Sequence, residues 1–263
     1  MTASDRAQTL HVISFLPIEE VLTAAWDRPL DLQPGVIHVW GFILEGAEAS
    51  VERCMSWLDK REQARGARLV RSDDRRRYTL AHGSLRAVLG RYLCLEPGTL
   101  ECRYAATGKP FVTQRLPDGD ALTFNLSHSH GRMLVALSRD REVGIDLELI
   151  RGDIEAGKLA DRFFCQAERD AMAQKATGHE HETFFRYWVA KEAVLKAQGV
   201  GISSLQDCEI LLNGDRARTE IRATPGSAVQ PDWTVQFLSC GSEWEGAMAS
   251  KGEEWIVRPQ SAG

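Results

Sequence analysis

Asp146 and Glu148 stand two residues apart in the stretch Val143-Gly144-Ile145-Asp146-Leu147-Glu148-Leu149-Ile150. The alternation reads as a β-strand, with Ile145, Leu147 and Leu149 on one face and the two carboxylates on the other. Their Cα atoms would lie roughly 6.5 Å apart, close enough for the side chains to converge. Like charges at that distance repel, so one carboxyl must be protonated or a cation must sit between them. Oxygen ligands suit a hard ion such as Mg²⁺, which takes one or two carboxylates together with phosphate oxygens. Taken alone, such a pair is more often the acidic outer face of an ordinary strand, so the rest of the chain has to decide.

A second segment bears on the question. In Arg186-Tyr187-Trp188-Val189-Ala190-Lys191-Glu192-Ala193-Val194-Leu195-Lys196, helical spacing places Phe185, Val189, Glu192 and Lys196 along one line. Glu192 and Lys196 therefore stand at the edge of the apolar stripe and not in the middle of the solvent face. An i,i+4 pair that only supports its own helix would be better placed on the far side. A third segment, Leu122-Thr123-Phe124-Asn125-Leu126-Ser127-His128-Ser129-His130-Gly131, reads as a strand running into a polar loop. Adjacent Ser127 and His128 rarely reach nucleophile–base geometry, and no G-x-S-x-G elbow is present. The simpler reading is that they donate hydrogen bonds to phosphate oxygens. Walker, kinase and G-x-G-x-x-G signatures are absent.

The elements that would position these groups follow in order. Residues 36–44 read as a strand, 50–58 as a helix capped by Ser50, and 61–69 as a basic helix. A long helix starts at Ser72 or Asp73 and runs to about Tyr92, with Tyr78, Ala81, Leu85, Val88, Leu89 and Tyr92 in one stripe. A short strand is expected at 100–104 and a turn at Gly108-Lys109-Pro110-Phe111. The strands ending near Leu126, at 133–137 and at 143–150 read as a meander. Residues 158–176 read as helical, and the strongest helix spans 183–198, closed by Gly199. Strands at 205–212, 218–223, 233–238 and 247–250 complete the set, and the last dozen residues carry weak signal. Arg77-Tyr78-x-x-Ala81 and Arg186-Tyr187-x-x-Ala190 hint at an internal repeat of two α+β halves with a ligand cleft between them.

Composition narrows the class. Hydrophobic content of 43% and charged content of 26% are those of a soluble globular protein. The net charge of −5 argues against a nucleic-acid or membrane-surface binder. Yet ten Lys and Arg residues fall between Lys60 and Arg91, which suits a small anionic ligand or an acidic partner. Six cysteines without C-x-x-C spacing read as reduced thiols of a cytoplasmic protein. No run of about 18 apolar residues is present to span a membrane.

Five motifs now stand in order: Gly108-Lys109-Pro110, Phe124-Asn125-Leu126-Ser127-His128-Ser129, Gly144-Ile145-Asp146-Leu147-Glu148, Arg162-Phe163-Phe164…Glu168, and Trp188-x-x-Lys191-Glu192-Ala193-x-x-Lys196. Their order and spacing, over about residues 60–212, resemble the surfactin-type (group II) 4′-phosphopantetheinyl transferases. The resemblance implies a pseudo-dimeric α+β fold whose two similar halves hold coenzyme A at their interface, in a monomer with pseudo-twofold symmetry. Residues 1–35 would be an N-terminal extension, 36–122 the N-terminal half, 123–250 the C-terminal half carrying the metal site, and 251–263 a tail. The implied reaction moves the phosphopantetheine arm of coenzyme A onto a serine of an acyl, polyketide or peptidyl carrier protein and releases adenosine 3′,5′-bisphosphate. By motif, Asp146, Glu148 and Glu192 would bind Mg²⁺. Glu192 would also act as the base, and Lys196 would contact the α-phosphate. Ser127 and His128 would hold the 3′-phosphoadenosine end, Lys109 and Pro110 would border it, and Arg77 would hold the 3′-phosphate. Glu168 ranks second as a metal or water ligand. The alternative is an inactive homologue that binds coenzyme A or a carrier. Family members often read Ser-His-Ser-Gly where this chain reads Ser127-His128-Ser129-His130-Gly131, which makes His130 a departure.

Overall fold

The computed structural model describes residues 10–27, 30–174, 178–212 and 217–261. The first nine residues of the expected extension, residues 28–29 within it, residues 175–176 of the stretch read as helical and the last two of the expected tail lie outside the described residues. In chain order the elements are β1 (His11–Val12), β2 (Phe15–Pro17), α1 (Ile18–Leu22), β3 (Val36–Ile43), α2 (Glu48–Trp57), α3 (Lys60–Ala67), α4 (Ser72–Leu93), β4 (Cys102–Tyr104), β5 (Pro110–Val112), β6 (Thr123–Ser129), β7 (Arg132–Ser138) and β8 (Val143–Leu149). Then follow α5 (Ala156–Phe163), α6 (Gln166–Ala173), α7 (Glu180–Gln198), β9 (Cys208–Ile210), β10 (Arg218–Ala223), β11 (Trp233–Ser239), β12 (Trp244–Lys251) and β13 (Ile256–Pro259).

Strand alternation builds a four-layer stack. On β3, Ile37 and Val39 face one way while Trp40 and Phe42 face the other, and each set enters a different core. One sheet runs β13-β3-β7-β6 with β2 beside β3, and the other runs β8-β12-β11-β10-β9 with β1 beside β11. Between the sheets, Ile37, Val39 and Leu134 meet Val143, Ile145 and Met248. The outer face of the first sheet is covered by α4, whose expected stripe is buried throughout. The outer face of the second is covered by α7, through Val189, Ala193 and Val194. The mixed α/β class expected from the sequence is what the chain adopts. All six cysteines are free thiols. No described helix is long and apolar enough to cross a membrane.

The expected meander is corrected. β6 and β7 form an antiparallel hairpin, but β8 leaves it and pairs with β12 in the other sheet. The reason lies in Val143, Ile145 and Leu147, which are fully buried against the first sheet, so β8 stacks under that sheet and does not extend it. The β3 sheet therefore takes in the whole β6–β7 hairpin, to Ser138. Residues 11–17 straddle both sheets, since β1 runs along β11 and β2 along β3, and β13 runs along β3 as well.

Each half repeats one order: a strand, two short helices, a long helix and a hairpin whose second strand pairs antiparallel with the first. These are β3·β7 in one half and β8·β12 in the other. A buried ion pair repeats too. Glu62, in the capping box of α3, meets Arg86 of α4; Glu168, in the capping box of α6, meets Lys191 of α7. The Arg-Tyr-x-x-Ala motifs fall a few residues out of the register these pairs define. Two caps differ from expectation. Ser50 lies inside α2 and donates to Glu19 Oε1 at 2.9 Å, and α4 starts without a side-chain cap at Arg71.

One close approach sets the site's geometry. Gly144 of β8 lies under α7, where an added Cβ would stand 2.0 Å from the Ala193 carbonyl oxygen and 2.4 Å from the Ala197 nitrogen. These are backbone atoms that cannot turn aside. Gly144→Ala should therefore destabilise the protein by about 3 kcal/mol, at the upper end for overpacking. Urea unfolding measures this, and an unchanged midpoint would show that α7 does not rest on β8 there.

Candidate active site

With α7 seated on Gly144, its Glu192 and Lys196 come over the carboxylate face of β8. Lys196 Nζ lies 2.5 Å from Asp146 Oδ1 and 3.1 Å from Ser127 Oγ. From the other side, β6 reaches across with alternate side chains. Asn125 Oδ1 accepts from the Ile145 backbone N–H at 3.0 Å, Ser127 Oγ donates to Asp146 Oδ1 at 2.7 Å, and Ser129 Oγ donates to Glu148 Oε2 at 2.7 Å. β6 and β8 are edge strands of different sheets, and these side chains join them where backbone pairing does not. Ser127 and His128 thus lie within β6 and not in a loop, which corrects the expectation. The polar alternation Asn125, Ser127, Ser129 is a strand signal, masked because His128 on the opposite face is polar as well.

The carboxyl groups feel one another. Burial first, then the charges of Asp146 and Glu148 against the opposing pull of Lys196, push Glu192 up to about 6. Glu148 is raised by burial and by Asp146, against the Ser129 hydrogen bond and the charges of Lys196 and Arg151. Asp146 is 3% exposed, and its Oδ2 is buried with no hydrogen-bond partner. Among the described residues no three His, Cys, Asp or Glu side chains form a ready-made metal-holding group. The donor set nevertheless fits a hard divalent cation. It is all oxygen, it carries an orphaned buried oxygen, and it leaves coordination to be completed by phosphate.

Next to the carboxylates opens a cleft of about 400 Å³, within the usual range for small-molecule sites. Lys109, Pro110, Ser127, His128 and Lys196 all line it, so five of the expected residues share one cavity. Ser127 and Lys196 belong to both the cleft and the carboxylate cluster. Lys109 Nζ contacts Glu142 Oε2 at 2.5 Å and the Ala197 carbonyl at 2.8 Å, and so ties the end of α7 to the cleft wall. Gly199 closes α7 there, with a φ of 69°. The His128 ring is open to solvent yet enclosed by the cleft walls. This enclosure, followed by the charges of His82, Lys196 and Arg65, pushes its pKa down.

Arg77 is not among the lining residues. Its charge is felt at His130, whose pKa is lowered by burial first, then by Arg151 and then by Arg77. The basic wall is supplied by Arg65 and His82, with Tyr104, whose ring carries the Arg61 guanidinium at 4.2 Å. The sequence left open which basic residue of 60–77 meets phosphate, and it did not single out His82, Tyr104 or Ser129 as site residues. Arg61 and Arg65 are four apart on one face of a basic helix, and that was the available signal. Glu168 is elsewhere. It is 1% exposed, pairs with Lys191 at 2.5 Å and accepts from the Ile210 and Cys165 backbone N–H groups at 2.9 and 3.0 Å, so it is a core residue.

Comparison with known proteins adds a further finding. The sequence model described as "4'-phosphopantetheinyl transferase superfamily" matches residues 142–243. The chain is 38% identical over 183 residues to the 4'-phosphopantetheinyl transferase HetI of Nostoc sp., covering 70% of this chain and 77% of that protein. It is 29% identical over 184 residues to a phosphopantetheinyl transferase of Thraustochytrium sp., covering 64% and 63%. To the 4'-phosphopantetheinyl transferase Sfp of Bacillus subtilis it is 28% identical over 152 residues, covering 58% and 65%. In the last two, the matched part is less than two thirds of the relative's length.

Proposed function

The chain belongs to the 4′-phosphopantetheinyl transferase superfamily and is an enzyme of that class, and we propose that it moves the 4′-phosphopantetheine arm of coenzyme A onto a serine of an acyl, polyketide or peptidyl carrier protein, releasing adenosine 3′,5′-bisphosphate. The observation that carries this reading is the junction of a basic cleft and a carboxylate cluster through two shared residues, Ser127 and Lys196. Such a junction suits a ligand with a nucleotide at one end and a reacting pyrophosphate at the other.

Phosphoryl transfer depends on alignment and charge neutralisation more than on covalent help from the protein. Asp146, Glu148 and Glu192 would hold Mg²⁺, which when bound supplies neutralisation of the pyrophosphate. Lys196 brings an ammonium from the cleft wall to the α-phosphate. His128, Lys109 and Arg65 hold the 3′-phosphoadenosine end, with Pro110 beside them. Glu192, with its raised pKa still below neutral, is ionised at pH 7 and accepts the carrier serine's proton at a carboxylate oxygen. The repeated order of elements and the repeated buried ion pair support a monomer with pseudo-twofold symmetry. Free thiols and a net charge of −5 support a cytoplasmic protein that does not bind nucleic acid.

Mass spectrometry of an apo carrier protein incubated with this protein, coenzyme A and Mg²⁺ should show a gain of the phosphopantetheine mass. EDTA should remove the gain and excess Mg²⁺ restore it. No gain across acyl, polyketide and peptidyl carriers would sink the proposal in favour of an inactive binding homologue.

A further inference from the structure

The proposed reaction leaves His130 without a task, although its geometry is unusual. It occupies the turn between β6 and β7 at a φ of 53°, the left-handed region that glycine enters freely, asparagine and aspartate at small cost and other residues less readily. Its ring stands edge-on to Trp244, with centroids 6.5 Å apart, and Trp244 in turn carries the Arg132 guanidinium at 4.7 Å. His130 Nδ1 lies 3.1 Å from Ser129 Oγ, and Ser129 Oγ donates to Glu148 Oε2 at 2.7 Å. A hydroxyl has one proton. With that proton on an ionised Glu148, the Nδ1–H must be the donor to Ser129.

A related arrangement stands one step along the strand. Lys196 Nζ reaches Ser127 Oγ at 3.1 Å and Ser127 donates to Asp146 at 2.7 Å, although there Lys196 also meets Asp146 Oδ1 directly at 2.5 Å. Each carboxylate is held by a serine, and each serine hydroxyl is aimed by a donor behind it. We infer that His130 is a positioning residue that orients Glu148 through Ser129. The inference rests on the proposed reading of Glu148 as a residue that holds a divalent cation beside coenzyme A. Partners behind metal-binding side chains typically matter about 10- to 100-fold in affinity or activity.

The left-handed φ makes a clean test possible. Glycine is at ease there, so His130→Gly removes the ring while relieving the backbone. If His130 only fills the turn, His130→Gly keeps full activity. If it positions Glu148, the thermal midpoint is no lower, yet Mn²⁺ binding in the presence of coenzyme A, read by electron paramagnetic resonance without any carrier, weakens about tenfold. The turnover kcat should fall by about the same factor while KM for coenzyme A moves less than about twofold. His130→Asn also tolerates this backbone and places an amide nitrogen near the position of Nδ1, so it should recover part of the loss. Ser129→Ala should match the His130→Gly loss, and the double variant should add little to either. Wild-type protein that binds no Mn²⁺ with coenzyme A overturns the cation reading and this inference with it. Wild-type binding that His130→Gly leaves unchanged, or losses that multiply in the double variant, overturn the inference alone.

Discussion

Asp146→Asn should lower phosphopantetheine transfer by about 10³-fold while leaving the protein folded. Asparagine keeps the shape and the Oδ1 acceptor for Ser127, so the tie between β6 and β8 survives. What changes is charge. The buried, unpartnered Oδ2 becomes an amide group, a donor facing the place where a cation is proposed to sit. Two effects on stability oppose each other. Lys196 loses its ion pair, but its side chain is 29% exposed and its ammonium can take water instead, so the loss is of the modest size typical of part-exposed pairs. Glu148 and Glu192 lose a like charge that raises both of them. The thermal midpoint should consequently move by only a few degrees. The residual activity carries its own signature. Burial is the main cause of Glu192's raised pKa, but Asp146 adds to it, so without that charge the acidic limb of the pH–rate profile should shift to lower pH. Transfer rates by mass spectrometry at saturating coenzyme A and Mg²⁺, with a melting curve, test all of this. Near-normal turnover would show that Asp146 does not serve the reaction.

The residues that were legible in the sequence are those whose neighbours along the chain announce their environment. Asp146 and Glu148 alternate with apolar residues, and Glu192 and Lys196 border an apolar stripe. In each case the local period fixed the face, and the structure brings those faces together. What was not legible depends on contacts between distant segments. Nothing local says that β8 stacks beneath the first sheet, because three buried apolar residues on one face suit a meander equally well. Nothing local says that Ser129 reaches Glu148 or that Arg65, rather than Arg77, lines the cleft. Both arginines belong to one run of basic residues, and only the packing of α3 against the cleft separates them. The repeat shows the same limit. Its sequence trace, Arg-Tyr-x-x-Ala, was found in the two long helices but a few residues out of register, because the elements that match in space are a glutamate in a capping box and a cation on the next long helix, with different cations in the two halves.

That buried pair carries the second large expectation. Lys191→Met should destabilise the protein by about 3–5 kcal/mol, the usual consequence of removing one partner of a buried ion pair. Lys191 is fully buried and Glu168 is 1% exposed, so neither can turn to water. Lys191 Nζ also donates to the Cys208 carbonyl at 2.5 Å; its loss strands that oxygen and leaves the buried Glu168 carboxylate with backbone N–H donors but no countercharge. At about 2–4 °C per kcal/mol for a domain of this size, the thermal midpoint should fall by roughly 10 °C. Adding Glu168→Gln should recover part of the loss. Glutamine removes the uncompensated buried charge and still accepts from the Ile210 N–H, but its amide nitrogen cannot accept from the Cys165 N–H as Oε2 does, so the recovery is partial. A double variant less stable than the single would contradict the buried-pair assignment. The double variant also separates two roles for Glu168. As a core residue it leaves transfer per folded molecule close to wild type below the melting transition. As a cation ligand it would leave the folded double variant inactive. The placement of Glu168 beneath α7, holding Lys191 about 100° round the helix from Glu192, favours the first outcome. The same helix would then use adjacent residues for opposite purposes, Lys191 to anchor it in the core and Glu192 to serve the site.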